Sequence, residues 1–122
     1  MTKPHDRSAI IIAARRTPIG RVRGALRRLQ VDALAAPVLK ALLAETGLAA
    51  DAVDDVILGN AAGPGGNPAR LSALAAGFPV SVPGMTVDRQ CGSGLEAICT
   101  AARLVEAEKP QPFPKPLEAQ LK

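Results

Sequence analysis

Apolar and polar positions alternate in blocks that divide the chain into six ordered segments and a tail. Residues 9–14 form an unbroken run, Ala-Ile-Ile-Ile-Ala-Ala, bounded by a polar start and by Arg15-Arg16-Thr17-Pro18. Such a β-branched run predicts a strand buried on both faces, as in parallel sheets. After a basic loop, Leu34, Val38 and Leu42, with Ala35, Leu39 and Leu43, recur at helical spacing within residues 32–46. Asp32 is the expected N-cap and Gly47 the expected left-handed terminator. Pro37 requires that this helix either starts later, with the proline in its first turn, or kinks. Residues 53–59 close on Val56-Ile57-Leu58 and predict a second strand. A glycine-rich loop follows, and then Pro68 fits the first helical position behind an Asn67 cap, in a helix running to about Ala76 with Gly77 behind it. Residues 85–88 predict a short third strand. From Cys91, the spacing of Leu95, Ile98, Cys99, Ala102 and Val105 predicts a helix of about eighteen residues ending near Glu108. Strands alternating with helices indicate βαβ units around a mainly parallel sheet, an α/β fold. Residues 109–122 carry Pro110, Pro112, Pro114 and Pro116 at alternate positions and predict a polyproline-like tail without a core, so the boundary falls at 1–108 against 109–122.

Composition narrows the function classes. At 122 residues the chain holds one domain at most. Hydrophobic residues make up 48%, but 23 of them are Ala, so the core is built from small side chains. No apolar stretch approaches the roughly eighteen residues of a membrane helix, so no membrane partner is expected. The run at 8–14 imitates a signal peptide, yet Asp6, Arg15 and Arg16 flank it wrongly for export, and a cytoplasmic location is expected. Six Arg between Arg15 and Arg28 with no acid also match a transit peptide, but Pro18, Gly20 and Gly24 interrupt any amphipathic helix and favour a basic loop. With no Trp, no Tyr and two Phe, a nucleic-acid surface built on stacking is excluded. A net charge of +4 favours anionic partners. Cys91 and Cys99 would stand about 12 Å apart along one helix, beyond disulfide reach, so both are expected as thiols. His5 is the single histidine and no CxxC occurs, so no metal site is expected.

The chemistry-bearing stretch is Asp88-Arg89-Gln90-Cys91-Gly92-Ser93-Gly94-Leu95, where a strand turns into an apolar-striped helix. Cys91 falls at the positive end of that helix, where peptide dipoles and unpaired N–H groups favour thiolate, with Arg89 adding to the effect. Gly92 and Gly94 would let a ligand approach the backbone, and N–H groups from Cys91 to Ser93 would steady an oxyanion. The competing reading is a small buried Cys in a glycine-rich turn.

Four stretches fall in a recognisable order: 13–20 (Ala-Ala-Arg-Arg-Thr-Pro-Ile-Gly), 56–60 (Val-Ile-Leu-Gly-Asn), 66–70 (Gly-Asn-Pro-Ala-Arg) and 89–98 (Arg-Gln-Cys-Gly-Ser-Gly-Leu-Glu-Ala-Ile). In order and spacing the chain resembles the thiolase family, the acetyl-CoA acetyltransferases and 3-ketoacyl-CoA thiolases, over residues 9–106. The resemblance implies a partial thiolase-like N-terminal half: a mainly parallel sheet with helices on both faces. It implies that Cys91 accepts an acyl group from acyl-CoA and releases CoA in ping-pong fashion, with backbone support from Gly92, Ser93 and Gly94. It further implies that Asn67 and Arg70 lie near a subunit interface and support the active site, that the protein is a homo-oligomer or joins a partner subunit, and that a CoA thioester is the substrate with no separate cofactor.

The sequence also departs from the family pattern. Its Gly-His-Pro histidine, its second catalytic Cys and its Asn-Glu-Ala-Phe element have no counterpart here, and His5 has no supporting motif. Cys99, beside Ile98, is expected in the core instead. A Pro-rich tail stands where the family continues with a Gly-Gly-x-Glu-Ser strand, which leaves residues 9–14 as an open sheet edge and reads as a truncated, frameshifted or split gene product. Two functions follow: an acyl-CoA C-acyltransferase fragment in fatty acid metabolism, inactive alone, or a non-catalytic module that associates with a full-length thiolase-like partner.

Overall fold

The computed structural model describes residues 8–107; His5, the Pro-rich tail and the boundary at residue 108 lie outside them. The order is helix α1 (Val31–Thr46), a 3₁₀ turn (Ala50–Ala52), strand β1 (Val56–Gly59), helix α2 (Pro68–Ala75), strand β2 (Gly84–Val87) and helix α3 (Ser93–Glu106). β1 and β2 pair in parallel, Val56 opposite Gly84 and Gly59 opposite Val87, with α2 as the crossover. Two predicted strands and all three predicted helices are therefore present, with the α/β class intact.

Helix ends follow local chemistry with one exception. The Asn67 side chain accepts from the Arg70 N–H at 3.1 Å and Pro68 opens α2, as the sequence predicts. Gly47 closes α1 in the left-handed conformation (φ 68°), its N–H donating to the Leu43 carbonyl at 2.9 Å. Asp32 is not the cap: α1 starts one residue earlier, behind Gln30, and Asp32 sits in the first turn, where a carboxylate suits the positive helix end. Pro37 stands inside the helix; lacking an N–H, it leaves the Ala33 carbonyl without its usual partner.

Alternation along β1 distributes its side chains between two layers. Val56 and Leu58 join the core with Ala36, Ala73, Ala76, Phe78 and Val82, against Leu39 and Leu43 of α1. Gly59 points to the other layer, where a Cβ would lie 2.3 Å from the Ser93 carbonyl carbon and 2.4 Å from the Gly94 nitrogen. Gly84 of β2 has the same relation to α2, a Cβ meeting the Arg70 Cα at 2.7 Å. Both helix starts thus touch a strand backbone through a missing side chain.

The expected strand at residues 9–14 is corrected by the structure. These residues adopt no regular secondary structure and pair with no strand, and Ile10, Ile11 and Ile12 are 78%, 79% and 65% exposed. A doubly buried strand needs a ladder and two covered faces, and no described element supplies either. The segment is tethered at its ends: the Ala9 N–H donates to Glu106 Oε1 at 3.4 Å, and Arg15 pairs with Glu45 at 2.8 Å. α3 holds a second correction. Its apolar stripe faces outward, Leu95 being 69%, Ile98 57% and Val105 56% exposed, while Ser93 and Ala97 are buried. Cys99 is therefore only half-buried, outside the core cluster. The close approach at Gly59 admits only small residues beneath α3, so its large side chains turn away.

Asp55, just ahead of β1, has a buried Oδ1 without a hydrogen-bond partner beside an apolar cavity lined by Leu39, Leu43, Val53 and Phe78. Desolvation raises its pKa, an effect the Val56 N–H partly offsets. Two outcomes are expected. Gly59→Ala destabilises by about 1–3 kcal/mol through overpacking, read as a lower denaturant midpoint; an unchanged midpoint refutes the contact. A raised folded pKa means that the ionised form costs stability above it and that stability is regained as pH falls toward the unfolded value. Asp55→Asn therefore stabilises at neutral pH, and its advantage shrinks through the acid carboxylate range in pH-dependent melts.

Candidate functional site

The turn between β2 and α3 is closed by its own polar groups. Asp88 Oδ1 accepts the Gln90 N–H at 3.0 Å, the Gly92 N–H donates to the Arg89 carbonyl at 3.0 Å and the Ser93 N–H to the Gln90 carbonyl at 3.1 Å. The buried Ser93 hydroxyl donates to the same Gln90 carbonyl at 2.7 Å and accepts the Arg89 N–H at 2.9 Å. Gln90 is left-handed, with φ 46°, a conformation that L side chains adopt at a cost. The reversal delivers Cys91 to the surface, exposed and unbridged, one residue before the N-cap Gly92.

Geometry changes the part played by the neighbouring groups. The N–H groups of Gly92 and Ser93 are committed to the turn rather than bare; among the three glycine and serine positions, only the Gly94 N–H is outside those bonds. Ser93 acts through its hydroxyl, a cap-type role that a serine at a helix start signals in sequence. Arg89 pairs with Glu96 of α3 and not with its neighbour Asp88, whose Oδ1 accepts the Gln90 N–H. Its guanidinium donates to Glu96 Oε2, while Arg103 holds Glu96 Oε1 at 2.8 Å. Arg103 first and Arg89 second hold the Glu96 carboxyl below its ordinary range. Glu96 is thus half-buried between two arginines.

Asn67 and Arg70 lie at the start of α2 and act on β2. Asn67 Nδ2 donates to the Gly84 carbonyl at 2.7 Å, and its Oδ1 accepts from Thr86 Oγ1 at 2.5 Å. Thr86 Oγ1 accepts the Ala69 N–H at 3.0 Å. The Arg70 guanidinium donates to the Val80 carbonyl at 3.0 Å and to the Val82 carbonyl. These two side chains thus fasten the segment leading into β2, which begins five residues upstream of Arg89. No hydrogen bond joins them to the Cys91 turn among the described residues. Thr86 is the member that sequence reasoning missed; only its place opposite Asn67 reveals it. Among the described residues no cluster of His, Cys, Asp and Glu could hold a metal, and no helix is long and apolar enough to cross a membrane.

The parallel βαβ unit thus ends in a turn that presents an exposed cysteine at a helix start. The chain belongs to the thiolase family: the model of the thiolase N-terminal domain matches residues 9–111. It is 54% identical over 100 residues to YhfS of Bacillus subtilis (strain 168), by name an acetyl-CoA C-acetyltransferase, covering 82% of this chain and 27% of that one. VraB of Staphylococcus haemolyticus (strain JCSC1435), similarly named, is 49% identical over 107 residues, 88% of this chain and 28% of its own. The crystal structure of the Bacillus anthracis acetyl-CoA acetyltransferase superposes with a TM-score of 0.70 at 44% identity, over 74% of this chain and 23% of that one. The chain thus spans about a quarter of the length of the curated relatives it matches.

The strained turn yields a prediction. Gln90→Val, a β-branched residue forced to positive φ, destabilises by about 1–2 kcal/mol, whereas Gln90→Gly does not. Urea titration of the three proteins reads the difference, and equal losses in both variants would count against strain at this position.

Proposed function

We propose that this chain carries the acyl-accepting part of an acyl-CoA C-acyltransferase, with Cys91 as nucleophile. The observation supporting it is the exposed Cys91 thiol, presented by a turn in which the flanking polar groups are already bonded. Cys91 Sγ attacks the carbonyl carbon of a CoA thioester. The bond from that carbon to the CoA sulfur breaks, CoA leaves as its thiol, and the acyl group stays on Cys91 as a new thioester. The proton leaving Cys91 balances the one CoA gains. The Cys91 N–H, outside the bonds that close the turn, is the backbone donor assigned to the oxyanion, and Gly92, Ser93 and Gly94 support it by holding the turn against β1. Asn67 and Arg70 act as positioning residues through β2. The thioester is substrate, and the half-reaction requires no metal or separate cofactor.

The one histidine of the sequence is His5, and the general base of a full cycle is not assigned to it. Complete turnover by these 122 residues alone is expected to fall several orders of magnitude short. A cytoplasmic protein of fatty acid metabolism, acting as a homo-oligomer or beside a partner subunit, fits this chemistry. The outward stripe of Leu95, Ile98 and Val105 favours a second reading, a module that docks on a thiolase-like partner without chemistry of its own.

Intact-mass analysis after incubation with acetyl-CoA separates the two. An acetyl adduct present in the parent and in Cys99→Ser, absent in Cys91→Ser, is the expected result, together with alkylation of Cys91 faster than Cys99 at mildly acidic pH. Slow labelling and no adduct, even with a thiolase-like partner present, leaves the docking module.

A further inference from the structure

We infer that the arginine loop at residues 21–28 binds a compact anion carrying two or more phosphate groups. Arg21, Arg23, Arg27 and Arg28, with Gly24 and Ala25, line one concavity of about 470 Å³. No carboxylate lines it. The ion pairs among the described residues engage Arg15, Arg89 and Arg103, so these four guanidiniums have no acidic partner there. Their combined formal charge equals the net +4 of the chain. Four of the fifteen Lys and Arg residues thus line one concavity, which shares no lining residue with the Cys91 turn.

The loop has a defined shape. The Gly24 N–H donates to the Arg21 carbonyl at 2.9 Å, the Arg27 N–H to the Gly24 carbonyl at 3.2 Å, and Arg27 Nη1 to the Arg23 carbonyl at 3.3 Å. A Cβ on Gly24 would stand 2.8 Å from the Arg21 carbonyl oxygen, so the turn closes tightly around that glycine. Arg23 holds a left-handed backbone, φ 59°, which few L residues adopt without a compensating interaction. Like charges held together by a tight turn repel one another, and a multivalent anion removes that repulsion. Guanidinium forks match phosphate oxygens in pairs, and a diphosphate offers enough oxygens to engage several forks at once, which a monoanion does not. An extended nucleic acid is disfavoured because the site is one local concavity without aromatic platforms. The same chemistry is offered by free diphosphate and by the diphosphate of a CoA-type molecule.

Calorimetric titration of the full chain with inorganic pyrophosphate at low salt tests the site. Saturable binding is expected, weakened about tenfold in Arg23→Ala or Arg27→Ala, partly retained in Arg27→Lys and unchanged in Lys40→Ala, a surface charge on α1. Melting curves matching the parent show that the variants fold; should an Ala variant unfold, Arg27→Lys carries the comparison. Competition by CoA with the same arginine dependence assigns the site to a nucleotide-linked diphosphate, and no competition assigns it to free diphosphate. Absence of saturable binding, an equal loss in Lys40→Ala, or an oligonucleotide that binds and is not displaced by pyrophosphate each overturns the inference. Because the cysteine half-reaction is read by mass in a separate experiment, failure here leaves that proposal standing.

Discussion

Backbone contact without an intervening Cβ sets the spacing of this molecule at two places, and both lie where a helix begins against a strand. Gly59 admits the Ser93–Gly94 backbone beside the end of β1, and Gly84 admits the Ala69–Arg70 backbone beside the start of β2. Side chains of any size at these positions would push α3 and α2 outward from the sheet. Since the turn containing Cys91 is strung between β2 and α3, its location is a consequence of both contacts. A two-stranded sheet has little intrinsic stability, so these close approaches and the Phe78-centred cluster behind them carry a large share of the structural definition.

The polar network around Asn67 completes the same frame by different means. A single amide side chain caps α2 and also bonds β2, while Thr86 relays between Asn67 and the Ala69 N–H. Arg70 then spans to two carbonyls of the loop that enters β2. Charge-assisted bonds of this kind are directional and roughly twice as strong as neutral ones. The helix start, the strand and the preceding loop therefore move together, and the strand continues within a few residues into the cysteine turn. Support for the site is delivered along the chain rather than by direct contact.

Helix positions were legible in sequence because capping chemistry is local: Asn67 with Pro68, and Gly47, mark boundaries without reference to the rest of the fold. The same holds for the cysteine turn, where a strand, two glycines and a helical stripe adjoin. Burial was less legible, because it depends on what lies opposite. The isoleucines at 10–12 have the composition of an inner strand, yet no described element pairs with them. The α3 stripe has the periodicity of a core face, yet Gly59 brings the helix in along its small residues. Periodicity identifies an apolar face; it does not say which neighbour, if any, meets it. Arg89 illustrates a further limit. Its partner is Glu96, seven residues on across the turn and not its neighbour Asp88, a pairing visible only in three dimensions.

Electrostatics at the cysteine turn follow from that pairing. With its guanidinium drawn to Glu96, Arg89 belongs to a three-membered ion network with Arg103 rather than to the thiol. Because the two arginines hold the Glu96 carboxyl below its ordinary range, the stabilisation it contributes is complete above the unfolded carboxylate value and is lost as pH falls through the depressed one. The network therefore stays intact throughout the neutral range in which a cysteine nucleophile works. It ties Glu96 and Arg103 of α3 to Arg89 of the turn on one flank, while the Ser93 hydroxyl closes the turn itself. The ion network and the Ser93 hydroxyl thus hold the turn from two sides, and the exposed Cys91 thiol stands on a turn whose neighbouring charged groups Arg89, Glu96 and Arg103 are paired with one another.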